Sequence, residues 1–173
     1  EELVAMNEKY ECCTFRGSVV ALDAATGEQI WKSYTIENAP APRGLNSKGV
    51  QTYGPAGGAI WSAPSVDLRT RRVFVGVGNS YTDVPTANTD AVIAFDFETG
   101  SRLWTYQAQA NDNWIAGCQP GMVDCPTPMG PDMDFGTPPI LRTLPDGRSV
   151  IISAQKSGVL HALDPDTGNL LWQ

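Results

Sequence analysis

The stretch Ala94-Phe-Asp-Phe-Glu-Thr-Gly-Ser-Arg-Leu-Trp104 decides the fold, because the chain contains it three times. Its counterparts are Ala21-Leu-Asp-Ala-Ala-Thr-Gly-Glu-Gln-Ile-Trp31 and Ala162-Leu-Asp-Pro-Asp-Thr-Gly-Asn-Leu-Leu-Trp172. Alanine, aspartate, threonine, glycine and tryptophan recur at fixed offsets, the mark of a repeat architecture. The residues before each aspartate are apolar and β-prone (19–22, 91–95 and 159–163), and each run predicts a strand. The aspartate can accept hydrogen bonds from N–H groups of the turn it opens. The glycine can take positive φ without steric cost. A second strand then carries the tryptophan. Each copy is therefore a β-hairpin with a large aromatic at a fixed place on its second strand.

Working outward, two more strands precede the second hairpin (59–66 and 72–77) and two precede the third (139–142 and 149–154). No segment carries a helical period. Sequential four-stranded antiparallel sheets, each with a tryptophan to wedge against the next, describe the blades of a β-propeller. The expected architecture is all-β: a partial propeller with a half blade at 1–35, a blade at 56–108 and a blade at 135–173. Two and a half blades cannot close a ring, so both ends read as internal to a longer protein. The connections 37–55, 80–90 and 109–136 are long for a compact domain and rich in Asn, Asp, Trp, Cys and Pro, which suits a site built on the rim.

Composition excludes several classes. Hydrophobic residues make up 42% of the chain, enough for a packed core. The net charge is -7 and only Arg69, Arg71 and Arg72 cluster among the cations, so nucleic-acid binding has no support. No apolar run is long enough to span a membrane. The four cysteines lack the spacing of a zinc site, and there is only one histidine, His161, in an apolar strand where a structural role is expected. Cys118 and Cys125 share one Pro- and Gly-rich loop and are expected to pair, which favours an oxidising compartment.

The A-x-D-x-x-T-G-x-x-x-W repeat resembles the tryptophan-docking motif of the pyrroloquinoline quinone (PQQ)-dependent alcohol dehydrogenases, whose propellers have eight blades. The segments Cys12-Cys13-Thr14-Phe15-Arg16-Gly17-Ser18, Tyr53-Gly54-Pro55 and Gly78-Asn79-Ser80-Tyr81-Thr82-Asp83 resemble the polyvinyl-alcohol dehydrogenase branch. The resemblance covers essentially the whole chain.

It implies a set of site residues. Gly57-Gly58-Ala59-Ile60-Trp61 resembles the strand whose tryptophan forms the floor under the quinone, and an indole face suits a flat tricyclic cofactor. Gly76-Val77-Gly78-Asn79 resembles the strand end whose asparagine oxygen binds Ca2+, a cation that prefers hard oxygen ligands. Lys156, in Ala154-Gln155-Lys156-Ser157-Gly158, resembles the cation that touches the quinone oxygens. Arg16-Gly17 resembles the pair that opens the blade beside the metal-binding glutamate. Glu2 is the preferred glutamate here, with Glu1 and Glu11 as alternatives. The adjacent Cys12 and Cys13 are similar to the vicinal disulfide that covers the quinone in some relatives, although on a different blade position.

One motif departs from the family. Its catalytic aspartate usually follows a tryptophan, but Asp112-Asn113-Trp114 is followed by Ile115. After an insertion holding Cys118 and Cys125, Asp132-Met133-Asp134 keeps the D-x-D spacing and leads into the next strand. Asp132 is the expected proton-accepting base, Asp134 its neighbour near the metal, and Asp112 the alternative base. Asp132 is expected to be held ionised by Ca2+ and Lys156. The implied activity is oxidation of an alcohol group with PQQ and Ca2+ in the periplasm, with electrons leaving to a cytochrome c. The rival reading is a non-catalytic propeller of the same repeat, serving as a scaffold.

Overall fold

The structure, a computed structural model, describes all 173 residues. Twelve strands follow a short 3-10 turn at Glu2–Val4: β1 (Ser18–Leu22), β2 (Gln29–Tyr34), β3 (Ala41–Leu45), β4 (Gln51–Gly54), β5 (Ser65–Asp67), β6 (Arg72–Val77), β7 (Ala91–Asp96), β8 (Arg102–Gln107), β9 (Ile140–Thr143), β10 (Ser149–Ala154), β11 (Leu160–Leu163) and β12 (Leu170–Trp172). They form four-stranded sheets ordered β5-β6-β7-β8 and β9-β10-β11-β12, plus two hairpins, β1-β2 and β3-β4. Every ladder is antiparallel.

The repeat explains the hairpins and the way they stack. Asp96 Oδ1 accepts hydrogen bonds from Glu98 N (3.0 Å) and Thr99 N (2.8 Å), and the Gly100 N–H closes the turn on the Asp96 carbonyl at 2.9 Å. Asp23 and Asp164 cap their turns in the same way. Gly27, Gly100 and Gly168 sit at φ of 75°, 70° and 73°, conformations that a side chain resists. The glycine has a second role. A Cβ on Gly100 would lie 2.5 Å from the Trp31 ring, and one on Gly168 would lie 2.6 Å from Trp104. Each tryptophan thus lies flat on the glycine of the next repeat. Its indole N–H donates into the same turn, Trp31 to the Phe97 carbonyl and Trp104 to the Pro165 carbonyl, both at 3.0 Å. Trp172, with no repeat after it, is half exposed.

The core follows from strand alternation. Val73, Val75, Val77, Ala91, Ile93 and Phe95 bury one face of the first four-stranded sheet. Phe74, Val92 and Ala94 on its other face meet Ile151 and Leu163 of the second and Phe135 of the segment that leads into it. The inter-sheet contact therefore depends on the repeat staying tight. Gly100→Ala should destabilise the fold by about 2–4 kcal/mol, combining left-handed strain with overpacking against Trp31. A chemical-denaturation midpoint unchanged from the parent would refute the docking role.

Beyond the blades, single bridges stitch four segments together. Arg16 pairs with Gly57, Gly57 with Ser80, and Ser80 with Asn113. The bonds run from Gly57 N to the Phe15 carbonyl (2.9 Å), Gly58 N to Asn79 (2.8 Å), Ser80 N to Asp112 (3.0 Å) and Trp114 N to Ser80 (2.9 Å). Gly17 and Gly57 are required by this lattice, because a Cβ on either would strike neighbouring backbone.

Two expectations need correction. The run 59–66 is a strand only from Ser65 to Asp67, because Pro64 has no N–H to give a ladder and the 59–60 backbone instead serves the stitched rim. The stretch 37–55 is not irregular: it contains β3-β4, whose turn is closed by Asn46 Oδ1 accepting from Lys48 N and Val50 N. The N-terminal segment carries only a three-residue 3-10 turn, in keeping with the lack of a helical period.

Candidate functional site

The stitched rim ends in a cavity of about 350 Å³ lined by Glu2, Trp61, Asn79, Tyr81, Asp134 and Lys156, with Ala59 and Gly78 completing the wall. Local folding accounts for each side chain. Gly78 directly follows β6 and donates its N–H to the Ala59 carbonyl (2.9 Å), which brings Trp61 beside Asn79. Gly136 has no Cβ because the Trp61 ring lies where one would be, 2.5 Å away. Even so, 57% of Trp61 remains exposed, so a large aromatic face is presented rather than buried.

Asn79 is oriented unambiguously. Its Nδ2 donates to the carbonyls of Ser80 (2.7 Å) and Trp114 (2.6 Å), so the amide nitrogen is spent on backbone. Its Oδ1 takes no hydrogen bond from the chain and is left as a neutral hard donor. Asp134 is buried. Its Oδ1 accepts from Asn79 N at 2.7 Å and its Oδ2 lies 2.5 Å from Lys156 Nζ. The Lys156 N–H donates to the Asp134 carbonyl at 2.9 Å, which ties the β10-β11 turn to the D-x-D segment.

Lys156 bridges the two carboxylates, because Asp132 Oδ1 lies 2.7 Å from the same Nζ. The ammonium also stands 5.3 Å from the Trp61 ring centre and 5.7 Å from that of Trp114, within cation–π range. Burial pulls the lysine pKa down, but the bonds to Asp132 and Asp134 outweigh it and the net shift is upward. For Asp132, burial raises the pKa, the Lys156 bond lowers it, and the Asp134 charge raises it again, with a net upward shift. Lys156 thus opposes the effect of burial on Asp132 without cancelling it. Asp132 stands beside the cavity rather than in its lining, joined to it through Lys156.

Asp112 has a different task. Fully buried, it accepts from Asp132 N (3.0 Å) and Met133 N (2.6 Å), and so fixes the backbone of the D-x-D segment. Each of its oxygens thus holds one backbone N–H of that segment. Of the three glutamates, Glu2 lines the cavity and accepts from Ala116 N (3.1 Å). Glu1 caps Thr14 N and Phe15 N, and Glu11 is exposed.

Arg16, Cys12 and Cys13 are not brought to this cavity. The Arg16 guanidinium donates to the carbonyls of Ile36 (3.1 Å) and Glu37 (2.9 Å) and lies 3.8 Å over the Tyr34 ring. Cys12 and Cys13 form a vicinal disulfide, but it lines a neighbouring cavity on the far side of Tyr81. Cys118 and Cys125 pair with each other. His161 is buried in β11, with Nδ1 3.1 Å from the Tyr106 hydroxyl and its ring edge-on to Phe135.

Two residues here have no role assigned from the sequence. Tyr81 walls both cavities, and burial first, then the charges of Glu2, Asp134 and Glu1, push its phenol pKa upward, so it stays protonated. Asp90 is completely buried and neither of its oxygens has a partner. Burial and the nearby charges of Asp112, Asp134 and Asp132 raise it to about 9. A neutral Asp90 spares the cluster a further negative charge. In the sequence it is one more polar residue in a loop before a strand.

Comparison with known proteins decides the family. Residues 4–173 match the PQQ family model, the β-propeller domain of glucose/ethanol/alcohol dehydrogenases. The chain belongs to this family. It is 49% identical over 172 residues to the polyvinylalcohol dehydrogenase of a Pseudomonas species, a match that takes in 99% of the chain and 27% of that protein. The Sphingopyxis sp. (strain 113P3) polyvinylalcohol dehydrogenase is likewise 49% identical. The solved quinohemoprotein alcohol dehydrogenase ADHIIG of Pseudomonas putida HK5 superposes with a TM-score of 0.65 at 27% identity, over 92% of this chain and 24% of that one. The quinoprotein propeller seen here thus spans about a quarter of the length of the relatives it matches.

Proposed function

We propose that the chain forms part of the active site of a PQQ- and Ca2+-dependent dehydrogenase that oxidises alcohol groups, with secondary alcohols along a polymer as the favoured substrate. The observation that carries this reading is the cavity itself: an exposed indole face, a set of hard oxygens (Glu2, Asn79, Asp134) and one ammonium (Lys156) converge on it. A flat anionic cofactor with an oxygen-bound cation fits that donor set, because Asn79 Oδ1 is uncommitted and Trp61 is exposed. A scaffold has no use for that convergence.

PQQ with Ca2+ would supply the hydride acceptor. The chain's own residues do the rest. Trp61 offers the stacking surface. Glu2, Asn79 and Asp134 are proposed to hold the metal. Asp132, with Oδ2 uncommitted, receives the substrate hydroxyl proton, and Lys156 places positive charge where oxygen charge develops. Asp112 holds the loop that aims both carboxylates. Arg16 and the Cys12–Cys13 pair lie outside the lining of this cavity. We further propose a periplasmic location, consistent with two disulfides, and a cytochrome c as electron acceptor.

The test is reconstitution of the longer enzyme with PQQ and Ca2+ and measurement of dye reduction by a secondary alcohol. Activity should require both additions and vanish with a chelator. Turnover indifferent to PQQ, or none with any alcohol, would reject the reading.

A further inference from the structure

The seam between the two four-stranded sheets changes character near the D-x-D segment. Through most of its depth it is apolar, with Phe74, Val92 and Ala94 facing Ile151 and Leu163. Strand alternation carries the same faces two residues further toward the site, and there the side chains turn polar. Asp90 stands two residues before Val92, Ser153 two after Ile151, and His161 two before Leu163. Ser153 and His161 lie opposite each other in the β10-β11 ladder. Tyr106, on the edge strand β8 opposite Val92, reaches across the seam to His161 Nδ1 at 3.1 Å. The Asp90 carbonyl accepts from Ala108 N at 3.0 Å, which prolongs the β7-β8 pairing and fixes Asp90 on this face. Phe135, next to Asp134, packs edge-on against His161 with ring centres 5.3 Å apart.

This polar layer is buried, and the chain does not satisfy it. Both oxygens of Asp90, Ser153 Oγ and His161 Nε2 have no hydrogen-bond partner in the protein. Asp90 is 0%, Ser153 1% and His161 4% exposed. Unmet polar atoms at such depth are costly, and in folded proteins they are met by ordered water where no protein group reaches them. A carboxyl, a hydroxyl and a ring nitrogen on facing strands supply the several polar partners that such a water needs. The ionisable members are neutral at neutral pH. Burial, then the charges of Asp112, Asp134 and Asp132, raises Asp90 to about 9 against the opposing effect of Lys156. Burial also lowers His161 and raises Tyr106. A neutral carboxyl, imidazole and phenol can each take a proton at one atom and give one from another.

We propose that this layer is an internal water site, held by Asp90, Ser153 and His161, through which a proton taken up at the D-x-D carboxylates reaches the Tyr106 hydroxyl and the solvent. Each passage leaves every group as it was apart from the ring tautomer, which resets. A proton arriving at one Asp90 oxygen displaces the proton on the other into water. Water protonates His161 Nε2, the Nδ1 proton moves to the Tyr106 oxygen, and the phenol releases its own proton outward from a partly exposed position. One proton enters, one leaves, and no electrons move. Asp90, Ser153 and His161 are positioning residues, because they act through the waters they orient and touch no substrate. The source of the proton rests on the alcohol-oxidising reading, in which Asp132 must lose the hydroxyl proton before the next turnover. The water site rests on the layer alone.

The test uses the longer enzyme loaded with PQQ and Ca2+, with 2-propanol as substrate. Tyr106→Phe removes the outer link and leaves the ring in place. Asp90→Asn keeps the shape and suits the left-handed backbone at φ 47°, but an amide does not hand on a proton. Each variant should lower kcat by about tenfold, equivalent to about 1.4 kcal/mol in the barrier, with cofactor affinity unchanged. Two readouts separate proton transfer from damage to the fold. Imidazole buffer, a small diffusible proton carrier, should restore most of the rate in both variants, and the solvent deuterium isotope effect on kcat should rise above that of the parent. A crystal structure of the longer enzyme should show ordered water bonded to Asp90, Ser153 and His161. A dry layer overturns the proposal whatever the kinetics. A loss of rate that imidazole does not reverse, with an unmoved isotope effect, overturns it too. Should the native enzyme oxidise no alcohol while the waters are present, the alcohol-oxidising reading fails and the water site stands. Should 2-propanol be oxidised at the parent rate by both variants, the proton path fails and that reading stands.

Discussion

Asp132→Asn in the longer enzyme should lower kcat by about 10²–10⁴, the usual contribution of a positioned base, while PQQ affinity changes little. The asparagine keeps the size of the side chain and one acceptor for Lys156, but it cannot take a proton. Asp134→Asn should behave differently. Asp134 is the carboxylate in the cavity lining, and its loss should weaken metal and cofactor retention first. Asp112→Asn should have a smaller effect than either, because an amide oxygen can still hold one of the two N–H groups of Asp132 and Met133. Single-turnover rates and cofactor-binding curves for the three variants separate these roles. A normal rate in Asp132→Asn alongside a dead, cofactor-loaded Asp134→Asn would move the base to Asp134.

Lys156→Met should cost about 10²–10³ in kcat, the range for removing one preorganised donor from a site of developing oxygen charge. It should also move the pH profile, with a sign that follows from the charges. Asp132 is already displaced upward by burial, and Lys156 is what restrains that displacement. Removing the ammonium raises the Asp132 pKa further, so the base becomes ionised only at higher pH. The rising limb of kcat against pH should therefore shift to higher pH in Lys156→Met and return toward its original place in Lys156→Arg. A lower kcat with an unmoved limb would mean that Lys156 does not face Asp132 during turnover.

How much of this could be read in the sequence differs between the blades and the site. The blades are local: Asp96 caps its own turn, Gly100 bends it, and Trp31 lands on Gly100 because the repeat recurs, so three copies of one pattern carry strand, turn and docking together. The strand at 59–66 was legible only in part, since hydrophobicity does not reveal that Pro64 breaks the ladder or that Ala59 serves a neighbouring segment. The β3-β4 hairpin escaped because Ala41–Leu45 holds proline, arginine and glycine and is exposed throughout, with no apolar alternation to mark it.

Within the site, Trp61, Asn79, Asp134 and Lys156 stand in segments with recognisable neighbours, and the structure collects them with Glu2 in one cavity. Arg16, Cys12 and Cys13 were assigned from motif alone. Their placement depends on which way the chain turns after the stitched rim, and that is a tertiary fact. Asp90 carries no signal in the sequence and Tyr81 stands in a recognisable segment without a role, because what distinguishes both is burial beside other charges. Asp112 could be noticed but not assigned, since its two backbone partners lie 20 and 21 residues away in sequence.

The most direct test of the central claim is a crystal structure of the longer enzyme grown with PQQ and Ca2+. The quinone should lie against the Trp61 face with Lys156 at its edge, and the metal should be bound by Asn79 Oδ1 and carboxylate oxygens of Glu2 and Asp134, at the usual calcium–oxygen distances of about 2.3–2.6 Å. A cofactor seated away from Trp61, or a metal that ignores Asn79, would contradict the account.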